Sequence, residues 1–114
     1  MRTYTQALAA NAAQTPGAVA EVGHLALGSL YLQVGGTFSA TYHLEMSVDG
    51  NTWFDVSTKF TDVVAGSAAG SSLVTGKLLN FAGVPARFLR TNCTAYSTGG
   101  APSIVLTGQD TRTT

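Results

Sequence analysis

Residues 41–57 constrain this chain more than any other stretch. Tyr42, Leu44, Met46 and Val48 alternate with Thr41, His43, Glu45 and Ser47. A period of two puts the first set on one face of a β-strand and the second on the other. Asp49-Gly50 follows at once, and Trp53, Phe54 and Val56 begin a return strand. A tight turn needs positive φ, which Gly takes without steric cost and Asp tolerates. The stretch therefore predicts a β-hairpin with one apolar and one wet face, with Asp49 and Gly50 as its structural turn. Such a hairpin is marginal alone, so the rest of the chain must cover it.

The remaining sequence offers that cover. Residues 22–27 and 30–34 are short apolar runs separated by Gly28-Ser29, and Leu30, Leu32 and Val34 alternate. Residues 77–81 make a short strand candidate. Residues 87–96 form a second strong strand, with Leu89, Thr91, Cys93 and Ala95 expected on one face and Phe88, Arg90, Asn92, Thr94 and Tyr96 on the other. Residues 103–107 close the series. Residues 65–72 are almost all Gly, Ala and Ser and are expected as a loop. With no long helical pattern, the expectation is an all-β, antiparallel, jelly-roll-like sandwich of seven or eight short strands. Residues 1–18 are alanine-rich and end in Thr15-Pro16-Gly17; they are expected as an irregular N-terminal arm, helical or extended. Residues 19–108 form the domain, and 109–114 are expected as a polar tail.

Composition narrows the function. The 114 residues are enough for one domain. Hydrophobic residues make up 45%, which excludes a disordered chain. Charged residues make up 11%, six basic against six acidic, where an average soluble domain has about 25%. Nucleic-acid or membrane-surface binding would need a basic excess, so neither is expected. Low charge suits a protein that is covered by partners, because interface centres lose charges.

Three phrases occur in order: Leu30-Tyr31-Leu32-Gln33-Val34-Gly35, then Leu44-Glu45-Met46-Ser47-Val48-Asp49-Gly50-Asn51-Thr52-Trp53, then Ala86-Arg87-Phe88-Leu89-Arg90-Thr91-Asn92, followed by the closing Ile104-Val105-Leu106-Thr107-Gly108. In them the chain resembles the discoidin-type, galactose-binding-like jelly-roll family over residues 30–108. In general character it is also similar to small jelly-roll proteins that decorate and cement bacteriophage capsids. In the discoidin-type family the tryptophan of the hairpin packs structurally, which implies a core role for Trp53, with stacking on a sugar as the alternative.

Chemical motifs are sparse. No calcium loop follows Asp49-Gly50-Asn51, because the further oxygen ligands are missing. His24, His43 and Cys93 lack the paired spacing of a zinc site. Residues 70–77 depart from a phosphate loop, and no Gly-x-Ser-x-Gly elbow occurs. Cys93, the sole cysteine, is expected as a buried small hydrophobe. The start of the sequence lacks the pattern of a signal peptide, and no apolar run is long enough to span a membrane. The expectation is a non-enzymatic virion protein without cofactors, made in the host cytoplasm. It would bind the major capsid protein and associate with itself as a dimer or trimer. Arg2, Tyr4, Tyr31, Phe54 and Tyr96 are the expected contact residues. The alternative is a carbohydrate-binding module of a phage tail or fibre, with Tyr31, Phe54 or Tyr96 stacking on a glycan.

Overall fold

The structure is a computed structural model that describes residues 2–112. Ten strands run in order: β1 (Arg2–Ala7), β2 (Ala20–Glu21), β3 (Leu30–Gly35), β4 (Ser39–Ser47), β5 (Phe54–Asp55), β6 (Phe60–Asp62), β7 (Ser67–Ala68), β8 (Lys77–Phe81), β9 (Phe88–Thr98) and β10 (Ser103–Asp110). They form two antiparallel sheets, ordered β1-β10-β3-β8-β6-β7 and β2-β9-β4-β5. The chain is an all-β sandwich. It has more strands than expected because β1 carries no apolar alternation, and β2 and β7 are two residues each, too short to show a period.

Alternation builds the core. Leu30, Leu32 and Val34 of β3, Tyr42, Leu44 and Met46 of β4, Leu89 and Cys93 of β9, and Ile104 and Leu106 of β10 are all buried between the sheets. Tyr42 also donates its hydroxyl proton to the Asn11 carbonyl at 2.7 Å. The hairpin joins β4 to β5 with Glu45 opposite Asp55 and Met46 opposite Phe54. Its connection is longer than a two-residue turn. Gly50 takes φ +79°, and Asp49 itself stays at negative φ. Asp49 works instead through its carboxylate, whose Oδ1 accepts the N–H groups of Asn51 at 2.8 Å and Thr52 at 2.9 Å. These bonds, Thr52 first, hold its pKa below the ordinary carboxylate value.

The N-terminal segment corrects the expectation of an arm. β1 lies on β10 from Arg2 opposite Asp110 to Ala7 opposite Val105. Leu8 is buried and donates its N–H to the Ile104 carbonyl. Residues 9–18 then cross to the other sheet, where Gly17 N–H bonds Thr91 O and Cys93 N–H bonds Thr15 O. The crossing is tight: a Cβ on Gly17 would sit 2.3 Å from the Ala9 carbonyl oxygen. The small residues that suggested a short helix serve close approach, because alanine and glycine let backbones meet. The polar tail is corrected too. β10 runs to Asp110, which is buried, and Thr111 N–H bonds the His24 carbonyl. Thr113 and Thr114 lie outside the described residues.

Asp110 is held by Arg112 through Nη2–Oδ2 at 2.8 Å, Nε–Oδ1 at 3.1 Å and the backbone N–H at 2.9 Å. The guanidinium, and after it that N–H, depress the Asp110 pKa strongly. Asp62 is depressed chiefly by the Ala65 N–H, then by Lys77. A carboxylate depressed on folding stabilises fully above its unfolded pKa of about 3.9, and that contribution fades as pH falls toward the folded value. The melting temperature is therefore expected to decline below about pH 4. Asp110→Asn should melt lower than wild type at pH 7, and the gap should shrink in acid. A gap that stays constant from pH 7 to 2 would contradict the ionic origin.

Candidate interaction surface

Exposed apolar side chains converge at one end of the sandwich. Val48 is 73% exposed, Phe54 65% and Val84 68%. With Met46, Val56 and Phe81 they line an open, mostly apolar groove of about 260 Å³. Each wall has a local cause. Val48 leaves β4 where the hairpin loop turns out of the alternation, so the residue expected on the apolar face ends in solvent. Phe54 sits on a two-residue edge strand with no neighbour beyond it. Val84 lies in the loop from β8 to β9, between Gly83 and Pro85. Single exposed hydrophobics are ordinary, but a contiguous set lining a concavity marks a contact surface.

Ser47 is the one polar residue among those lining the groove, and charged residues, Glu21, Arg87 and Arg112, line the neighbouring concavity that shares Val48 and Ala86. Arg87 lies over the Phe88 ring at 4.9 Å and 3.7 Å from Glu21, with both charged groups exposed. On the outer face of the four-stranded sheet, Arg90 donates to Glu45 at 2.8 Å, and Asn92 donates to the other carboxylate oxygen at 3.2 Å. The Arg90 guanidinium stacks 4.1 Å from the Trp53 ring. Trp53 is thus partly exposed and lies outside the sandwich core, correcting the expected core role. The hairpin loop turns its ring onto the outer face, where a cation covers it.

The residues expected to bind partners are not brought together. Phe54 is on the groove. Arg2 is exposed on β1, whereas Tyr4 turns inward, edge-on to His24 with ring centroids 4.7 Å apart. Tyr31 is half-buried on β3 of the other sheet. Tyr96 corrects the predicted alternation of β9. Thr41 pairs with Ala95 but Tyr42 pairs with Cys93, so Thr94 is an extra residue. This bulge reverses the phase, and Tyr96 packs against the core, where its hydroxyl accepts the Gly100 N–H. Tyr96 lies opposite Ala40 and Phe54 opposite Met46, so the two are ~20 Å apart along β4. No shared aromatic platform forms from Tyr31, Phe54 and Tyr96.

His24, His43 and Cys93 are likewise separated. His43 lies 3.2 Å from Asp55, Cys93 is in the core, and His24 packs on Tyr4. Among the described residues no group of three or more His, Cys, Asp or Glu is placed to hold a metal, and no helix is long and apolar enough to cross a membrane. Sequence reasoning missed Val48 and Val84 as lining of the groove. The signal for Val84 was an isolated apolar residue inside a Gly-x-Pro turn.

No family model and no curated protein matches the sequence, so the discoidin-type resemblance stands on its three phrases alone. Solved structures do match. The fold is similar to that of the SPBc2 prophage-derived protein YomS, with a TM-score of 0.71 and 15% identity over 94% of this chain and 92% of that one. It is also similar to the PBSX exported protein XepA, with a TM-score of 0.70 and 16% identity over 94% of this chain. This chain spans 37% of XepA. At these identities the likeness is one of fold: a two-sheet sandwich shared with a prophage-derived protein and with part of an exported one.

Proposed function

We propose that this chain is a non-enzymatic structural protein of a bacteriophage particle, a decoration protein that docks on the capsid through the groove at Val48, Phe54 and Val84. The groove carries the reading: it is mostly apolar, concave and lined by no charged residue, as the centre of a protein interface is. The shared fold with a prophage-derived protein supports a phage setting. A protein that binds only the assembled shell stabilises it by mass action, without chemistry. The segment 2–18 is committed to the sandwich, so docking rests on the body of the domain and not on a draped arm.

The test is cosedimentation with capsids of the phage whose genome carries the gene. Fully burying a side chain such as Phe54 contributes ~1.5–3 kcal/mol, so Phe54→Ala should weaken binding about 10- to 100-fold. Phe54→Asp with Val84→Asp should abolish it while circular dichroism stays unchanged. Undiminished binding by the double variant would refute the groove as the docking site.

One observation favours a second reading. XepA, described as exported, carries this fold in about a third of its length, so the unit also serves as a module of a longer protein. In that setting the groove would meet a glycan or a surface protein outside the cell. Glycan-array binding sensitive to Phe54→Ala, together with no affinity for shells, would select this reading.

A further inference from the structure

Four strands end the two sheets, and three of them, β2, β5 and β7, have two residues each. Short edges give another strand little to pair with. β1 is different: it has six residues and, among the described residues, no strand beyond it. The direction of its backbone groups follows from Leu8, whose N–H donates to Ile104 O at 3.0 Å. Antiparallel ladders alternate, so Gln6 and Tyr4 also aim their N–H and C=O at β10. The Tyr4 carbonyl accordingly accepts the Thr107 hydroxyl at 3.0 Å. Thr3, Thr5 and Ala7 then aim theirs away from the sheet. Their side chains are exposed, small and uncharged. The usual edge guards are nearly absent: β1 contains no Pro, Lys, Asp or Glu and no bulge in its register, and its one charge, Arg2, stands at the end of the strand.

We propose that β1 is a self-pairing edge. β1 of one protomer adds antiparallel to β1 of a second copy about a two-fold axis at Thr5, joining two six-stranded sheets into one of twelve strands. The free groups dictate the register. Thr5 faces Thr5 of the second copy and Thr3 faces Ala7, each as a hydrogen-bonded pair, giving six new backbone bonds. The occupant is a second copy because the set of free groups is symmetric about Thr5, so the edge is complementary to itself. Its one charge raises no obstacle: the two Arg2 residues fall at opposite ends of the joint, ~20 Å apart at the strand rise, well beyond the ~8 Å Debye length of physiological salt. Head-to-tail joining of β1 to β7 would pair six residues with two and leave most of the free groups unused. The proposal stands independently of capsid docking.

The 114-residue chain is expected to run as a dimer in size-exclusion chromatography with light scattering at tens of micromolar. Thr5→Lys sets two like charges opposite each other at the axis and should weaken dimerisation at least tenfold, with partial recovery in high salt. Thr5→Pro removes an N–H that β10 does not use, and should yield a monomer with an unchanged circular dichroism spectrum. Thr5→Cys should form a covalent dimer on mild oxidation, because hydrogen-bonded antiparallel partners sit ~5.5 Å apart at Cα, while Cys93 stays buried. A monomeric wild type, a Thr5→Lys variant as dimeric as wild type, failure of Thr5→Cys to cross-link, or a ring larger than two would each overturn the proposal.

Discussion

Tyr42→Ala is expected to destabilise the fold by about 3–5 kcal/mol, measured by denaturant unfolding. A domain of this kind has only about 5–15 kcal/mol in total, so the variant should be close to unfolded at 37 °C. The ring is completely buried and meets Phe38 edge-on with centroids 5.5 Å apart. It stands at the point where three pieces of chain meet: β4, the crossing segment 9–18, and residue 73, whose N–H donates to the Tyr42 carbonyl. Burial raises the pKa of the phenol, so it remains a donor to Asn11 through the neutral range. Tyr42→Phe separates the two contributions. It keeps the ring but loses the bond to the carbonyl of the exposed Asn11, which can turn to water, at a cost of about 0.5–1.5 kcal/mol. A loss below 1 kcal/mol for Tyr42→Ala would mean that the ring is not packed as described.

Deleting residues 1–8 should abolish cooperative folding. An arm could be removed without effect on the domain. Here the deletion strips β1 from β10, uncovers the edge of the larger sheet, and empties the site of Leu8, whose loss alone is comparable to a Leu→Ala change at about 2–5 kcal/mol. It also removes Tyr4 from the ring of His24. The expected readout is insoluble protein, or soluble protein without a thermal transition. A truncated chain that melts within two or three degrees of the full one would restore the arm.

The contrast between these two segments shows how legible the sequence was. β4 is readable because Tyr42, Leu44 and Met46 repeat with period two beside a turn dipeptide, and the pattern reports burial directly. β1 carries no such pattern: Arg-Thr-Tyr-Thr-Gln-Ala offers one half-buried aromatic and a row of polar residues, as suits an edge that packs on one side only. Its strand character comes from β10, more than a hundred residues away. Tyr96 failed for a related reason. A bulge inserts one residue without changing composition, and period-two reasoning carries the wrong phase past it. The apolar groove was least visible. Phe54 could be suspected as an aromatic near a turn, but Val48 belongs to the strand pattern that precedes it, and Val84 comes from a loop far along the chain.

By itself, then, the amino-acid order determined the class of fold, the inward residues of the central strands and the turning point at Gly50, because each depends on neighbours within a few positions. Only the tertiary arrangement decided that residues 2–18 belong to the sandwich, that Trp53 lies on an outer wall under Arg90, and that three distant apolar side chains share a groove. Those outcomes depend on contacts between segments remote in sequence, where the stabilisation comes from surfaces meeting in space and leaves no local repeat.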